Sequence, residues 1–416
     1  MLQITADVDR YYYRCSTYYK WRRDVKKNES FSKLLVLDQT RYLPGGYATQ
    51  GLADLGATVI KVEDTGKGDF CRYDYPTREG KSYYHTALGR NKKSITLDLK
   101  SEQGKQIYYD LAKKADVIVE SFRPGVTKRL GVDYDTIKGM NNRIIYASFS
   151  GYGQNNEKSL KALHDINMQA QSGYLSLNGG KTSPLHLCDV ASAMVCLQGI
   201  LAALYHREIT GKGQYIDVSM FDSFVWWNSM IFGRYDFNDN VQEAQDLEYP
   251  AVCYNIYETK DNKKISFGMV EDKFWKQFCS ETGMEDLIPT QLQRRQEVPE
   301  AFEKMENFVA SKTMDEWNEW LLDKDMCIAP VNDVGQAVEL ITNDEPEMMT
   351  YNDYPVIGKS LQVNIPLHLS ELPTDLKSAA PPPELGEHTE EVLESLGYSA
   401  DDIKKFASQG VVSGIK

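Results

Sequence analysis

The hydrophobic positions in the first part of the chain alternate between strand-like and helix-like stretches. An apolar run at residues 34–38 (LLVLD) is followed by a Pro-Gly-Gly break, and residues 47–56 have helical character. A second apolar run at residues 57–63 (ATVIKVE) has the character of a strand. The pattern therefore predicts a β-α-β unit, in which two parallel strands are joined by a helix.

The alternation continues after this unit with a helix at residues 101–114 and strands at residues 116–122 and 143–149. Strands that alternate with helices indicate a parallel sheet covered by helices on both faces, and thus the α/β class. Ligands of such sheets lie beyond the carboxyl ends of the strands. We therefore expect a site to be lined by three turns, at residues 44–46, 122–125 and 150–154.

Residues 189–207 are apolar almost all round, which is typical of a buried helix. Asp189 stands at the start of this helix and has two interpretations. It can cap the helix by accepting hydrogen bonds from free backbone N–H groups, which is the usual role of Asp at such a place. It can also act as a base or a nucleophile, because the positive end of the helix dipole is expected to keep its carboxylate ionised.

From about residue 240 onward the hydrophobic pattern is different. It predicts short strands, and amphipathic helices around Trp275 and Trp317. A strand pair turning near Gly358 and a capped helix within residues 381–398 follow. The first thirty residues are rich in tyrosine and in basic residues. They have two interpretations: an arm packed on a partner subunit, or a disordered extension. The predicted organisation is an atypical extension at 1–30, a large domain at 31–235, a small domain at 236–345, and a segment at 346–416 that returns to the large domain.

Composition narrows the range of functions. The net charge of -13 over 416 residues argues against nucleic acid as the partner, because phosphate backbones need a basic footprint. No run of 18 or more apolar residues is present, so no membrane span is predicted. The seven cysteines are scattered, which fits reduced thiols in a cytoplasmic protein.

Several familiar sites have no counterpart in the sequence. Gly45, Gly46 and Gly51 do not match the G-x-G-x-x-G pattern of dinucleotide-binding turns. The six histidines never occur at metal-ligand spacing, so no metal site is predicted, and the G-x-S-x-G turn of serine hydrolases is missing. What remains is the carboxylate of Asp189 and the imidazole of His164. Alone, such a histidine is more often structural than catalytic.

Two further groups of residues are expected to be structural. We expect four lysines to lie on the solvated surface: Lys92, Lys93, Lys113 and Lys114. Trp226 and Trp227 are expected to lie in the core or in a subunit contact, as aromatic pairs usually do.

Several motifs in a fixed order carry a resemblance to a known family. They are LADLGATVIKVE (52–63), GRNKKSITLDLK (89–100), ADVIVESFRPGV (115–126), the stretch 130–154 ending in SGYGQ, HDIN (164–167), ILAALYHREITGKGQYIDVSM (200–220) and GEHTEEVLESLGY (386–398). From Leu34 to the C-terminus the chain resembles the class III CoA-transferase and α-methylacyl-CoA racemase superfamily, also called CaiB/BaiF. The resemblance implies a Rossmann-like large domain, a smaller α+β domain and an interlocked homodimer.

The resemblance also implies roles for three residues. In the transferases the acid at the position of Asp189 attacks an acyl-CoA thioester and then carries CoA as an aspartyl thioester to a second carboxylic acid. In the racemases the same acid is one of two acid/base groups on opposite faces of the substrate α-carbon. The other is the histidine of the HDIN motif, here His164, assisted by a glutamate that Glu271 matches.

Two features favour proton transfer at the α-carbon over CoA transfer. Transferases commonly have tyrosine or another residue where this chain has His164, and residues 239–249 lack the glycine-rich loop of some transferases. Against them, residues 168–180 (MQAQSGYLSLNGG) resemble transferases of carnitine and bile acids as much as racemases. We expect a racemase or epimerase of a 2-methylacyl-CoA type thioester, with CoA transfer as the alternative.

Coenzyme A is expected as part of the substrate and no cofactor as tightly bound. The resemblance places CoA along Arg41, Leu43, Pro44, Leu97, Lys100, Ser121, Phe122, Arg123 and Arg129. Lysine suits phosphate as a point charge and arginine as a fork. The chain departs from the family after the second strand, where Asp64 replaces a frequent arginine.

Overall fold

The computed structural model describes residues 31–238, 250–372 and 374–415. These residues form two compact units, of which the first holds the described residues up to Ser229 and those from Asp344 onward, and the second spans Met230–Asn343. The predicted boundaries at 235/236 and 345/346 lie a few residues from these limits. The predicted extension at 1–30 and the segment 239–249 lie outside the described residues.

A six-stranded parallel sheet forms the centre of the first unit and confirms the predicted α/β fold class. Its spatial order is β5-β2-β1-β6-β7-β8, and Leu37 on β1 pairs with Ile60 on one side and Ile118 on the other. The strands are β1 (Leu35–Gln39), β2 (Thr58–Glu63), β5 (Lys92–Thr96), β6 (Val117–Glu120), β7 (Ile145–Ser150) and β8 (Gln214–Ser219); a small hairpin, β3 (Thr77–Arg78) with β4 (Lys81–Ser82), is inserted after β2.

Helices cover both faces of this sheet because neighbouring strand residues point to opposite sides. Leu37 belongs to a core with Ile107 and Leu111, whereas Val36 belongs to a core with Leu52 and Ile200. The helices are α1 (Leu43–Asp54), α2 (Tyr83–Leu88), α3 (Glu102–Lys114), α4 (Val126–Leu130), α5 (Tyr134–Lys138), α6 (Asp165–Gln171), α7 (Tyr174–Leu177), α8 (Leu187–Thr210) and α9 (Met220–Trp227).

Helix α8 starts two residues before the predicted first residue and ends three residues after the predicted last one. It is not buried all round, since Tyr205 and Ile209 are largely exposed. By length and composition alone this helix could cross a membrane, although less than half of its apolar stretch is buried and core helices of soluble proteins pass the same test. The prediction of a helix is therefore confirmed, and the prediction of complete burial is wrong.

The C-terminal segment contacts the sheet of the first unit. A hairpin of β12 (Met349–Tyr354) and β13 (Gly358–Val363) precedes helices α15 (Thr389–Ser395) and α16 (Ala400–Ser408). The Gly386 N–H donates to Ser94 Oγ and the Asp98 N–H donates to the Val411 carbonyl. The last helix is α16, which lies beyond the helix predicted within residues 381–398.

The second unit has its own core and a three-stranded antiparallel sheet in the order β11-β10-β9. Trp275 and Trp317, both completely buried, pack in this core together with Phe267. The elements are α10 (Ser229–Asn238), β9 (Tyr254–Glu258), β10 (Lys264–Gly268), α11 (Asp272–Thr282), α12 (Pro299–Val309), α13 (Met314–Leu321), β11 (Ile328–Pro330) and α14 (Val334–Asp344).

Candidate active site

A cavity of about 700 Å³ opens at the carboxyl ends of β1 and β6. The strand order reverses between these two strands, which is where parallel sheets bind ligands. Residues from all three predicted turns line it, including Pro44, Phe122 and Ser150, and so do His164 and Asp189. The fold thus brings residues that are far apart in sequence to one place, which we call the first cavity.

The loop from β1 to α1 is held by a buried ammonium group. Lys61 Nζ donates to the Thr40 carbonyl at 2.9 Å and forms an ion pair with Asp69 Oδ2 at 2.8 Å. Asp69 Oδ1 accepts from the Tyr42 N–H, and Tyr42 has a φ of 60°, which is uncommon for a residue with a side chain. A Cβ at Gly45 would lie 2.2 Å from Thr40 Cγ2, so the close approach of α1 requires glycine there.

A second buried lysine corrects one expectation from the sequence. Lys92 is 4% exposed, and its Nζ lies 3.1 Å from Asp38 Oδ2. Burial by itself would raise the pKa of Asp38, but the ammonium groups of Lys61 and Lys92 outweigh it and hold that pKa well below its usual range. The interpretation of Lys92 as solvated surface is therefore wrong, whereas Lys113 and Lys114 are exposed.

Asp189 lies in the first turn of α8 but does not cap it. The carboxylate that caps this helix belongs to Asp165, whose Oδ1 accepts from the Cys188 N–H at 2.7 Å and the Asp189 N–H at 3.2 Å. The Asp189 carboxylate makes no hydrogen bond to any group in the described ranges. The capping interpretation of Asp189 is therefore wrong, because a carboxylate from another helix occupies that position.

The protonation of Asp189 also differs from the expectation. Burial and the nearby negative charge of Asp165 raise the pKa of Asp189 from 3.8 to about 7. The helix dipole was expected to keep this carboxylate ionised at neutral pH. Instead, Asp189 is poised to hold and to release a proton near neutrality.

Two histidines line the first cavity, and they differ in their position relative to the carboxylates of Asp165 and Asp189. His164 precedes α6 and is exposed, with its backbone N–H bonded to Asn167 Oδ1. His186 precedes α8, and its Nδ1 lies 3.8 Å from Asp165 Oδ2. One His186 nitrogen and one oxygen each from Asp165 and Asp189 lie within 4.8 Å of one another. Such a group is also close enough to hold a metal ion, which histidine spacing in the sequence did not indicate.

A second cavity of about 660 Å³ adjoins the loops after β1, β2 and β5. Every residue expected to bind CoA lines one of the two cavities. The first is lined by Arg41, Leu43, Pro44, Ser121, Phe122 and Arg123, and the second by Arg41, Leu97, Lys100, Phe122 and Arg129. Arg41 and Phe122 line both cavities, so the expected CoA residues form one continuous tract.

Asp64 has a structural role in the second cavity. Its Oδ1 accepts the backbone N–H groups of Gly66, Lys67 and Gly68 at 2.9–3.3 Å, and its Oδ2 lies 3.5 Å from the Arg41 guanidinium. The residue that replaces the family's frequent arginine therefore shapes the loop after β2. It leaves the cationic groups of this cavity to Lys100, Arg129 and Arg41.

Glu271 lies in the second unit, directly before α11, and is exposed. Two residues that were not predicted for the site, Asp165 and His186, lie beside Asp189. Asp165 stands in the HDIN motif next to His164, and His186 stands three residues before Asp189. The proximity of Asp165 to Asp189 depends on how α6 packs against α8, which sequence spacing does not reveal, whereas His186 is close to Asp189 because it directly precedes the same helix.

Comparison with known proteins identifies the family. Residues 31–389 match the family described as CoA-transferase family III. The chain belongs to this family. It is therefore an enzyme of the superfamily that contains both CoA-transferases and α-methylacyl-CoA racemases.

Relatives in this family carry both kinds of name. An acyl-CoA transferase from Fusarium pseudograminearum is 31% identical over 91% of this chain and 87% of its own length. The human alpha-methylacyl-CoA racemase is 31% identical over 92% of this chain and 97% of its own length. A solved structure of a CaiB/BaiF family protein from Brucella suis has the same fold, with a TM-score of 0.77, 24% identity, and coverage of 89% of this chain and 100% of its own.

Proposed function

We propose that this family III enzyme transfers the proton at the α-carbon of an acyl-CoA thioester and thereby acts as a racemase or epimerase. The observation that supports this most directly is the pKa of Asp189, which burial and Asp165 raise to about 7. A group that both accepts and donates a proton works best when its pKa lies near the operating pH. A nucleophilic carboxylate, in contrast, has to be ionised before it attacks.

The acyl-CoA thioester would lie along the tract of expected CoA residues. Lys100 and Arg129 offer cationic groups for phosphates in the second cavity, and Arg41 lies between the two cavities. The thioester would then reach the first cavity beside Asp189. Removal of the α-proton leaves an enolate, which the enzyme has to stabilise with hydrogen-bond donors.

We assign the proton-transfer roles to Asp189 and His164, with Glu271 assisting His164. Both Asp189 and His164 line the first cavity. Glu271 is exposed in the second unit, and the resemblance implies that it is contributed by a partner subunit in an interlocked homodimer. Support for such a dimer comes from large apolar side chains at the surface of the first unit, including Tyr205 (72% exposed), Ile209 (69%) and Trp226 (60%).

The alternative is transfer of CoA between carboxylic acids through a thioester on Asp189. One observation favours it: the Asp189 carboxylate lines the first cavity without a hydrogen-bond partner in the described parts of the chain, which leaves an oxygen free to attack a carbonyl. In that reaction the acceptor would be a second carboxylic acid.

One experiment separates the two reactions. The enzyme is incubated with a single enantiomer of a 2-methylacyl-CoA in heavy water, without any acceptor acid. We expect deuterium at the α-carbon together with loss of optical purity, and Asp189→Ala should abolish both. If a wild-type enzyme gave no α-exchange but moved CoA to an added carboxylic acid, the racemase proposal would be replaced by the transferase.

Asp189→Ala by itself does not distinguish the reactions, because both use Asp189. Treatment with hydroxylamine during turnover adds a second test. A covalent hydroxamate at Asp189 is the mark of an acyl anhydride or a CoA thioester on that carboxyl. We expect none during racemisation.

A further inference from the structure

The half-exposed imidazole of His186 lies beside the two carboxylates of the first cavity. Its side chain is 54% exposed, whereas the side chain of Asp165 is 7% exposed. His186 Nδ1 is 3.8 Å from Asp165 Oδ2, and a His186 nitrogen, an Asp165 oxygen and an Asp189 oxygen lie within 4.8 Å of one another. His186 is therefore the group of this trio that reaches both solvent and the carboxylate pair.

The other members of the trio are poorly placed to pass a proton to water. Asp165 uses Oδ1 for the Cys188 and Asp189 N–H groups, and its Oδ2 accepts from Gln169 Nε2 at 2.5 Å. Asp189 is only partly exposed, and its carboxylate makes no hydrogen bond among the described residues. A proton taken up by Asp189 therefore needs a further group before it can exchange with solvent.

We propose that His186 relays protons between Asp189 and solvent, so that a proton removed from substrate is exchanged instead of returned. This role rests on the proposed α-proton transfer and extends it to a residue outside the Asp189 and His164 pair. Imidazole suits such a relay because it binds and releases protons near neutrality through two separate nitrogens.

The relay consists of two proton transfers. The proton leaves an Asp189 carboxyl oxygen for one ring nitrogen of His186, which leaves an Asp189 carboxylate and an imidazolium. The other ring nitrogen then gives its proton to water, and the neutral ring is restored. A hydrogen bond needs about 3 Å between heavy atoms, so the gap to Asp189 is closed by a side-chain rotation or by one bridging water.

Other titratable groups face the same cavity. Tyr84 on α2 interacts electrostatically with Asp189, and burial together with Tyr83 raises the pKa of Tyr84. His164, Asp74 and Lys161 also line the first cavity. Because His164 is itself exposed and titratable, the test has to separate the relay from the second acid/base group.

The test compares wild type with His186→Gln in heavy water, using each enantiomer of a 2-methylacyl-CoA in turn, because only one of them presents its α-proton to Asp189. In a single turnover, two quantities are measured: inversion of configuration, and deuterium incorporation at the α-carbon of the substrate recovered with its original configuration. We expect exchange to fall about 100-fold, the lower end of what a positioned proton-transfer group contributes, while inversion falls much less. Added imidazole should restore exchange in this variant.

His206→Gln is the matched control, because His206 lies exposed near the other end of α8. It should leave the ratio of exchange to inversion at the wild-type value. His164→Gln should stop inversion but leave the exchange of the enantiomer whose α-proton faces Asp189, since His164 is assigned to the opposite face of the α-carbon.

Three results would overturn the relay. They are an unchanged ratio of exchange to inversion in His186→Gln, failure of imidazole to restore exchange, and loss of wild-type activity on chelation with recovery by a divalent ion, which would make the trio a metal site. If the wild-type enzyme showed no α-exchange with any 2-methylacyl-CoA tested, the proposed function would fail first and the relay with it.

Discussion

At the scale of single residues, opposing electrostatic effects determine the pKa of Asp189. The first turn of a helix favours an anion, whereas burial and the neighbouring Asp165 carboxylate oppose it and raise the pKa of Asp189 to about 7. Burial and the Asp165 charge outweigh the helix dipole because the helix N–H groups that would stabilise the Asp189 anion are bonded to Asp165. Asp189 therefore has the helix position of a capping residue and the protonation of an acid/base group.

This pKa makes the stability of the protein depend on pH through Asp189. The folded pKa is about 7 and the ordinary value is 3.8, so the stability associated with the protonated carboxyl is present below about pH 4 and is lost as pH rises towards about 7. We predict that Asp189→Asn is more stable than wild type by about 2 kcal/mol at about pH 8, after allowance for partial exposure. The difference should shrink at about pH 5.

The measurement is chemical denaturation of wild type and variant at both pH values. Glu157→Gln at an exposed position is the control and should show no such pH-dependent gain. A variant that is less stable than wild type at the higher pH would show that Asp189 is stabilised as an anion.

At the scale of elements, α8 depends on a cap that comes from another helix. The Asp165 carboxylate satisfies two backbone N–H groups of α8. A cap from another helix cannot be predicted by local sequence rules, because these rules search for the capping residue directly before the helix. The same packing of α6 on α8 produces the electrostatic environment of Asp189.

We predict that Asp165→Ala lowers the free energy of unfolding by about 1 kcal/mol, the usual cost of losing a helix cap. Asp165→Asn should lose less, because its side-chain oxygen can still accept a hydrogen bond. Both variants remove the negative charge beside Asp189, so the pKa of Asp189 should fall and the pH–rate profile should move to lower pH.

Denaturation curves and pH–rate profiles of the two variants check this prediction. If the free energy of unfolding fell by the same amount in both variants, capping by Asp165 would not be what stabilises α8. If the profile did not move, Asp165 would not contribute to the pKa of Asp189.

At the scale of the whole molecule, the residues proposed for proton transfer occur in both units. Asp189 and His164 belong to the first unit, and Glu271 belongs to the second. The first unit also exposes Trp226 (60%) and Trp227 (46%), so these residues are not core in a single chain. Of the two interpretations given to this pair, a subunit contact remains as a prediction.

Subunit complementation tests the proposed dimer and its shared site. Asp189→Ala and Glu271→Ala chains are each expected to lose activity as homodimers. Co-expression of the two should restore activity, because one of the two sites in a mixed dimer would have both residues intact. Light scattering should give twice the mass of one chain, and a monomer, or no recovery on co-expression, would contradict the shared site.

The sequence by itself determined the class of fold and predicted candidate residues for the site. Alternating apolar strands and helices predicted the parallel sheet, since the periodicity of a buried face is a local property of the chain. Motif order indicated the family, and turn positions after β1 and β6 indicated where a ligand would lie. The residues that the resemblance places along CoA line the two cavities.

Only the tertiary structure decided the electrostatic state of these residues. Lys92 has the sequence context of a surface lysine, but β5 places it against the buried Asp38. Asp189 has the position of a cap, but α6 brings Asp165 to the helix end, beside Asp189 and His186. Burial and charge pairing depend on contacts between elements far apart in the chain, so periodicity and spacing do not reveal them.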